Sequence, residues 1–328
     1  MKENNIVLGF DLGGTKMLCA VFQENEIISR YKQETKAQDG PDVVVDRIID
    51  TVQQALKEAD VDESDVSGIG FAVPGPIDRN KGVIVNTPNL GFYNYPLLKK
   101  LKKEFSFPMV LENDVSSGTY GELLEGAAKG YKHVIGVFPG TGVGGGIIID
   151  GKIYHGASGN AGELGHMIIQ LDGPLCGCGQ YGCLEALASK TALSKDAVAL
   201  SAAGKAPTIM KEAGTDFANF KSKVFKKAVG NEDEAIQKIV DRGAYMLGIG
   251  LANFVNIFNP ELIILGGGLV EKLGKPYLKI AEETMRKHAM EALSRDVSIE
   301  IAKLGDDAVV IGAAGAIRGE LSENNGSK

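Results

Sequence analysis

The first apolar segments along the chain, which are separated by short polar or glycine-rich stretches, predict β-strands. Ile6–Asp11 and Lys16–Phe22 are apolar and β-prone, with Leu12-Gly13-Gly14-Thr15 between them. This arrangement predicts a β-hairpin. After a polar turn, Ile27–Lys32 predicts a third strand.

In the following segments, the spacing of the apolar residues changes. Val43–Ala59 has apolar residues three and four positions apart, which predicts a helix. Val66–Val73 is a continuous apolar run ended by Pro74-Gly75-Pro76, which is typical of a buried strand. Pro96–Glu104 then predicts a helix and Met109–Glu112 a short strand. An N-terminal α/β unit is therefore expected.

The pattern restarts at Val134–Pro139 and Gly144–Ile149, two predicted strands around the turn Gly140-Thr141-Gly142. The repetition indicates two related α/β halves. The remaining expectations are a mostly helical region over 189–239 with a linker-like stretch at 204–207, a helix at Asp241–Phe258, a strand at Leu262–Leu265, a helix at Val309–Arg318 and a disordered tail at Ser322–Lys328.

Composition favours an ordinary globular protein of about two domains. The 328 residues are 44% hydrophobic and 23% charged, and the formal net charge of −7 argues against a nucleic-acid partner. The N-terminal apolar run is too short for a signal peptide. The most apolar helix candidate, Ala244–Phe258, is too short for a membrane span and holds Asn253 and Asn256. We therefore expect a soluble, cytoplasmic protein with no membrane partner.

Candidate chemistry begins at the first glycine-rich turn. Gly13 and Gly14 can present backbone N–H groups to phosphate oxygens. Thr15 can add a hydroxyl, Lys16 a positive charge, and Asp11 can hold Mg²⁺ through water. A strand follows the turn, so it is not a dinucleotide fingerprint, and its spacing is not that of a Walker A loop. A hairpin without a ligand is the alternative interpretation.

Two further glycine-rich segments follow buried strands. The segment 140–146 holds five glycines in seven residues, a density that is unfavourable in a plain hairpin and permits close approach to an anion. Gly266-Gly267-Gly268 could let an adenine and a ribose lie against the backbone.

Asn113 and Asp114 stand at the end of a predicted strand, where α/β proteins usually carry reactive groups. An aspartate there can accept the proton of a sugar hydroxyl as its oxygen attacks phosphorus. Asn113 could bind neighbouring hydroxyls. The alternative is that both residues only cap the next helix.

One imidazole and three thiols are crowded between Gly162 and Glu185. His166, Cys176, Cys178 and Cys183 match a closed Cys₃His zinc site, which indicates a structural ion. The alternative is three reduced cysteines and an unrelated histidine. Glu163 and Glu185 flank this loop and could bind vicinal sugar hydroxyls, unless they are ordinary surface charges.

Together these residues resemble the ROK family of sugar kinases and repressors, with most similarity to its bacterial glucokinases. The resemblance spans nearly the whole chain. Its motifs are Asp-x-Gly-Gly-Thr-Lys at 11–16, Pro-Gly-Pro-Ile-Asp at 74–78, Pro-Asn-Leu at 88–90, Glu-Asn-Asp at 112–114, Gly-Glu at 121–122, the glycine-rich 140–146, Gly-Glu-Leu-Gly-His at 162–166, the cysteine loop at 176–185 and Leu-Gly-Gly-Gly at 265–268.

The resemblance implies an α/β fold of the actin-like, ribonuclease H-like ATPase class, with two domains and an interdomain cleft. We expect a small domain of residues 1–114 plus 309–328 and a large domain of residues 115–308 that carries the zinc loop. Two departures stand out: Ser116 replaces a frequent asparagine, and Pro139 precedes the second turn.

The resemblance also implies residue roles. Asp114 is the general base, and the sugar contacts are Asn89, Asn113, Asp114, Glu163, His166 and Glu185. The ATP contacts are Asp11, Gly13, Gly14, Thr15, Lys16, Thr141, Gly142, Gly144, Gly266, Gly267, Gly268 and Gly312. The zinc ligands are His166, Cys176, Cys178 and Cys183, and Mg²⁺ accompanies the nucleotide.

The expected function is ATP-dependent phosphorylation of the 6-hydroxyl of a hexose, with glucose as the sugar. N-acetylmannosamine and N-acetylglucosamine kinases share nearly all of these motifs. A fructokinase is a further alternative, although the elements at 74–78 and 88–90 look more like those of glucokinases. A sugar-responsive regulator without catalysis is the alternative from another class, although only five residues precede Ile6, where a repressor carries its DNA-binding helices. The resemblance further suggests a homodimer or homotetramer.

Overall fold

The computed structural model describes residues 6–326, apart from the side chains of Ala218 and residues 324–326. Its strands are β1 (Ile6–Leu12), β2 (Lys16–Gln23), β3 (Glu26–Glu34), β4 (Val66–Val73), β5 (Ile77–Asp78), β6 (Val83–Thr87), β7 (Phe92–Tyr95), β8 (Met109–Asn113), β9 (Val134–Pro139), β10 (Val143–Ile149), β11 (Lys152–Ile153), β12 (Leu262–Leu265) and β13 (Ser298–Ile301). Its helices are α1 (Pro41–Ala59), α2 (Leu97–Leu101), α3 (Asp114–Glu125), α4 (Glu185–Ala188), α5 (Lys190–Ala202), α6 (Pro207–Glu212), α7 (Ser222–Gly230), α8 (Glu234–Phe258), α9 (Gly267–His288), α10 (Glu291–Ser294) and α11 (Asp307–Gly326).

The first sheet has the order β3-β2-β1-β4-β8. β1, β2 and β3 are antiparallel neighbours, as the predicted hairpin requires, whereas β1, β4 and β8 are parallel. The carboxyl ends of β1, β4 and β8 therefore lie at one edge, and the register aligns Asp11 with Ala72 and Ala72 with Glu112.

Helices cover both faces of this sheet, which explains why β1 is apolar at nearly every position. Leu8 and Phe10 pack with the buried residues of α1, while Val7 packs with those of α11. A small antiparallel sheet of β5, β6 and β7 adds Ile77, Ile84 and Phe92 to the α1 side of the core. The sequence pattern did not predict these three short strands.

A second five-stranded sheet has the order β11-β10-β9-β12-β13, with β9, β12 and β13 parallel. Helix α8 begins seven residues before the predicted start at Asp241, because Asp233 caps it by accepting the N–H of Ile236. Helix α9 was not predicted. It contains a kink at Gly274 and holds Pro276, two residue types that usually end helices.

The chain forms two compact units. The first comprises the residues up to Gly130, Gly146–Gly162 and the residues from Lys303 onwards; the second comprises Tyr131–Gly145 and Glu163–Ala302. These bounds assign residues 115–130, 146–162 and 303–308 to the first unit, whereas the sequence-based division grouped them with the large domain.

The C-terminal prediction requires a correction. α11 continues to Gly326, so the expected disorder is wrong for residues 322–326, while Ser327 and Lys328 lie outside the described residues. Among the residues that the structure describes, no helix is long and apolar enough to cross a membrane.

Candidate active site

The first glycine-rich turn joins β1 to β2, and Thr35 holds it in place. The Thr35 hydroxyl donates to the carbonyl of Gly13 at 2.7 Å, and the Thr35 N–H donates to the carbonyl of Thr15 at 2.8 Å. Gly14, Thr15 and Lys16 are exposed, whereas Thr35 is fully buried. Two carbonyls of the turn are thus bound by the protein, an arrangement compatible with an N–H-lined anion site.

Two predicted carboxylates, Asp11 and Asp114, lie at the carboxyl ends of the parallel strands β1 and β8 and interact electrostatically. The pKa of Asp11 is raised to about 7, first by burial and then by the negative charges of Asp114 and Asp306, while Lys32 lowers it. Asp11 and Asp114 therefore lie close enough to interact electrostatically. A cation would relieve this repulsion, so the acidic strand end fits a magnesium-binding role for Asp11.

Asn113 and Asp114 both take part in capping α3. The Asn113 side-chain oxygen accepts the N–H groups of Val115 and Ser116 at 2.9 and 3.0 Å, and Asp114 accepts the Val115 N–H at 2.9 Å. Both residues therefore cap α3, but capping does not exclude a second role in the chemistry. The Asn113 amide keeps its donors, and a carboxylate has more acceptor sites than one hydrogen bond uses.

A cluster of polar side chains around the buried Glu112 supports the strand end just before these residues. The Glu112 side chain is 1% exposed and contacts the Nε2 atom of His155 at 2.8 Å and the Nε atom of Arg79 at 3.4 Å. Arg79 also pairs with Glu320 at 2.6 Å. The contacts link distant parts of the first unit, and the sequence offered no signal for them.

Asn89 lies on the 3-10 turn Pro88–Leu90 between β6 and β7. It is exposed, and within residues 6–326 the structure gives it no hydrogen bond to another predicted site residue. Its predicted sugar contact stays a prediction.

In the second unit, α5 and Glu185 bind the turn between β9 and β10. The Thr191 hydroxyl donates to the carbonyl of Thr141 at 2.6 Å, and the Lys190 N–H donates to the carbonyl of Gly140 at 2.8 Å. Glu185 accepts the Val143 N–H at 3.1 Å. A Cβ on Gly142 would stand 2.2 Å from the Glu185 carboxylate, so a larger residue there would displace that side chain. Lys190 and Thr191 were not among the predicted residues.

The predicted metal ligands come together in the second unit. The ligand atoms of His166, Cys176, Cys178 and Cys183 all lie within 4.8 Å of one another. The Cys178 and Cys183 sulfurs are 3.7 Å apart, and the Cys176 sulfur is 3.6 Å from the His166 Nδ1 atom. Tetrahedral zinc requires about 3.8 Å between two sulfurs and about 3.6 Å between sulfur and nitrogen. The donor set therefore fits zinc in both chemistry and spacing.

The two predicted sugar carboxylates adjoin this cluster. The Glu163 carboxylate is 3.8 Å from the Nε2 atom of His166, the ring nitrogen that does not face Cys176. Glu185 lies 3.5 Å from the Cys176 sulfur. Glu163, His166 and Glu185 are therefore neighbours of one cluster, as predicted from their spacing.

The remaining predicted ATP residues fall in different settings. Gly266 caps α9, and Gly267 and Gly268 begin that helix beside Pro139 and Ser222 of the second unit. Gly144 is in β10. Gly312 is buried in α11, where a Cβ would stand 1.8 Å from the Ser117 carbonyl of α3. Helix packing thus accounts for Gly312 without a nucleotide.

The fold and these residues define a member of a known family. The ROK family profile matches residues 7–319, and the chain belongs to that family with its actin-like, two-domain α/β fold. The chain is 34% identical to a glucokinase of Halalkalibacterium halodurans, over 95% of this chain and 94% of that protein. It is 30% identical to a putative xylose repressor of a Caldicellulosiruptor species, over 98% of this chain and 80% of that protein.

A solved structure shows the same fold. A ROK family glucokinase from Streptomyces griseus, in complex with glucose and AMPPNP, matches with a TM-score of 0.79 and 31% identity. The match covers 95% of this chain and 99% of that one.

Proposed function

We propose that this protein is an ATP-dependent hexose kinase that phosphorylates the 6-hydroxyl of glucose. The observation that carries the proposal is the group formed within the first unit by the glycine-rich turn, Asp11 and Asp114. This group combines a phosphate-binding backbone, a carboxylate suited to a divalent cation and a second carboxylate suited to proton transfer. Similarity to kinases at the level of the whole chain supports the same activity.

In the reaction, the carboxylate of Asp114 accepts the proton of the sugar 6-hydroxyl. The sugar oxygen forms a bond to the γ-phosphorus of ATP, and the bond from that phosphorus to the β,γ-bridging oxygen breaks. The products are the sugar 6-phosphate and ADP. Mg²⁺ neutralises negative charge on the transferring phosphates, and Asp11 is the residue that we expect to hold it through water.

The sugar contacts that we propose are Asn89, Asn113, Asp114, Glu163, His166 and Glu185. A structural zinc ion bound by His166, Cys176, Cys178 and Cys183 would fix the loop that carries Glu163 and Glu185. His166 would bind the ion through Nδ1, which faces Cys176. Its Nε2 atom would then remain for a sugar hydroxyl or for Glu163.

The nucleotide contacts divide into two groups. We assign the phosphates to Gly13, Gly14, Thr15, Lys16, Thr141, Gly142 and Gly144. We assign the adenosine to Gly266–Gly268. Gly312, the other predicted contact, is explained by its packing on α3.

A substrate panel tests the proposal. ADP release should be measured with glucose, mannose, fructose, N-acetylmannosamine and N-acetylglucosamine, at equal sugar and Mg·ATP concentrations. We expect the highest kcat/KM with glucose. Preference for an N-acetylhexosamine or for fructose would change the proposed substrate but not the proposed reaction. Absence of turnover with every sugar would refute the proposed kinase activity.

Similarity to xylose repressors favours one further candidate, a sugar-responsive regulator without catalysis. The panel separates the two functions when sugar binding is measured by calorimetry alongside ADP release. Sugar binding without ADP release would support the regulator. We further propose a cytoplasmic homodimer or homotetramer that needs neither a nucleic acid nor a membrane.

A further inference from the structure

The second glycine-rich turn has an uneven balance of backbone donors and acceptors. The carbonyl of Gly140 accepts the Lys190 N–H, that of Thr141 accepts the Thr191 hydroxyl, and that of Gly142 accepts the Gly140 N–H at 2.8 Å. Within the described chain, the N–H groups of Thr141 and Gly142 have no protein acceptor. The turn is therefore saturated as an acceptor but keeps two donors, a combination suited to an anion.

A positive charge stands beside these donors. The Nζ atom of Lys190 is 3.2 Å from the Thr141 hydroxyl oxygen, and the residue is half-buried at the start of α5. No carboxylate pairs with Lys190 among the residues that the structure describes. Its ammonium group therefore adjoins the turn's exposed threonine without an ion pair among the described residues.

The first backbone amides of α5 are not themselves the anion site. The N–H groups of Lys190 and Thr191 point to the carbonyls of Gly140 and Thr141, and that of Ala192 points to the Ser189 hydroxyl. These bonds hold the helix against the turn. The donors available to a ligand are consequently the Lys190 side chain, the Thr141 side chain and the two turn amides.

We propose that Lys190 is a further phosphate-binding residue for the nucleotide, and that Thr191 positions the turn which Lys190 serves. This inference rests on the proposed kinase function and extends its site to α5. A triphosphate carries several negative charges, and the protein itself has a net charge of −7, so a cation at the turn is electrostatically favourable. A lysine suits this position because it contacts phosphate as a point charge.

The ligand class is a di- or triphosphate chain rather than the base or the sugar. Lys190 should therefore affect every phosphate-bearing ligand of the turn and leave adenosine and sugar binding unchanged. A structural role would produce a different result, because loosening α5 would also disturb Glu185, which binds the same turn through Val143. That disturbance should weaken sugar binding.

The test compares Lys190→Ala and Lys190→Arg with Lys195→Ala, which removes an exposed lysine of the same helix. Calorimetry should measure binding of Mg·AMPPNP, tripolyphosphate, adenosine and glucose. For Lys190→Ala we expect about tenfold weaker binding of AMPPNP and tripolyphosphate, the loss typical of one charge-assisted contact. Adenosine and glucose affinities should stay within twofold, Lys190→Arg should restore most of the loss, and Lys195→Ala should resemble the wild type.

Three outcomes would overturn the inference. They are unchanged phosphate affinity in Lys190→Ala, an equal loss of glucose affinity, and wild-type protein that binds neither phosphate probe. Failure of the proposed function is separate, because it appears as absence of turnover in the wild type over the sugar panel. An active kinase whose Lys190→Ala variant binds AMPPNP normally would refute only the inference.

Discussion

The two glycine-rich turns, at 12–16 and at 140–143, are each held by a threonine from a later segment. Thr35 binds the carbonyl of Gly13 in the first unit, and Thr191 binds that of Thr141 in the second. Their neighbours differ in charge. The first turn lies beside the carboxylates of Asp11 and Asp114, and the second lies beside Lys190 and the metal-ligand cluster.

This difference indicates a division of labour. Carboxylates suit proton transfer and a divalent cation, so we assign the chemical step of the proposed reaction to the first unit. A lysine and a braced loop suit binding and orientation, so we assign the holding of ligands to the second unit. Variants of the first unit's carboxylates and of the second unit's metal ligands should therefore change different kinetic constants, whereas variants of either turn should weaken nucleotide binding.

The largest effect is expected from Asp114→Asn. Asparagine keeps the shape but cannot accept the hydroxyl proton, so kcat should fall by about 10²- to 10⁴-fold while sugar affinity is largely kept. Steady-state kinetics and sugar calorimetry measure the two quantities. Asp306→Asn is the control, since it removes an exposed carboxylate that also affects Asp11. Near-normal turnover of Asp114→Asn would mean that another group takes the proton.

Loss of the proposed zinc ion should have the second largest effect, and we expect it to weaken sugar binding. Elemental analysis should find about one zinc per chain. Cys178→Ser should lose it and bind sugar about 10- to 100-fold more weakly, because Glu163 and Glu185 lose their support. Cys19→Ala, which removes the cysteine outside the cluster, should keep the zinc. Metal-free protein with full activity would refute the assignment.

Asp11→Asn should stabilise the ligand-free protein while impairing turnover. The folded-state pKa of about 7 exceeds the ordinary aspartate pKa of 3.8, so the folded protein binds the proton more tightly than the unfolded chain and wild-type stability falls as pH rises between these values. The variant should lack this penalty. Its advantage in free energy of unfolding should grow by about 2 kcal/mol from pH 5 to pH 8.

Urea unfolding without Mg²⁺ or nucleotide measures this advantage. Asp62→Asn, at an exposed position, is the control and should show no such change. Parallel pH curves for wild type and Asp11→Asn would contradict the electrostatic account of the first turn.

The smallest effects should come from the two threonines. Thr35→Val and Thr191→Val each remove one hydroxyl donor to a turn carbonyl, a loss of about 1 kcal/mol. The Kd for AMPPNP should therefore rise about fivefold in each, and Thr→Ser should restore it. An effect of Thr191→Val alone would remove the first turn from the proposed phosphate site.

Sequence patterns predicted the strands and helices that end at residues unfavourable to the element. Val66–Val73 and Val134–Pro139 were predicted to the residue, because apolar runs there end at prolines and glycines. Helix α9 was missed because glycines open it and Pro276 lies inside it. Short strands such as β5 hold too few residues to show a period.

The residues of the candidate site also fall into those that the sequence could predict and those that it could not. Residues in local motifs, such as the cysteine loop, were found because their spacing alone brings them together. Thr35, Thr191 and the Glu112–His155–Arg79 cluster act through contacts between segments far apart in sequence, so no local pattern could reveal them. For Asn113 the sequence could not decide between two roles, because an asparagine at a strand end suits both a helix cap and a sugar contact.

The contacts of Glu122 join segments of the first unit that the ribosome makes at very different times. Its fully buried carboxylate accepts the N–H groups of Ala127, Lys303 and Leu304 at 2.7, 2.7 and 2.8 Å, so it joins α3 to the segment that leads into α11. On the ribosome, residues 131–302 emerge before that segment does. The second unit therefore has its whole sequence available first, and the carboxylate of Glu122 gains its Lys303 and Leu304 partners only after residues 131–302 have been made.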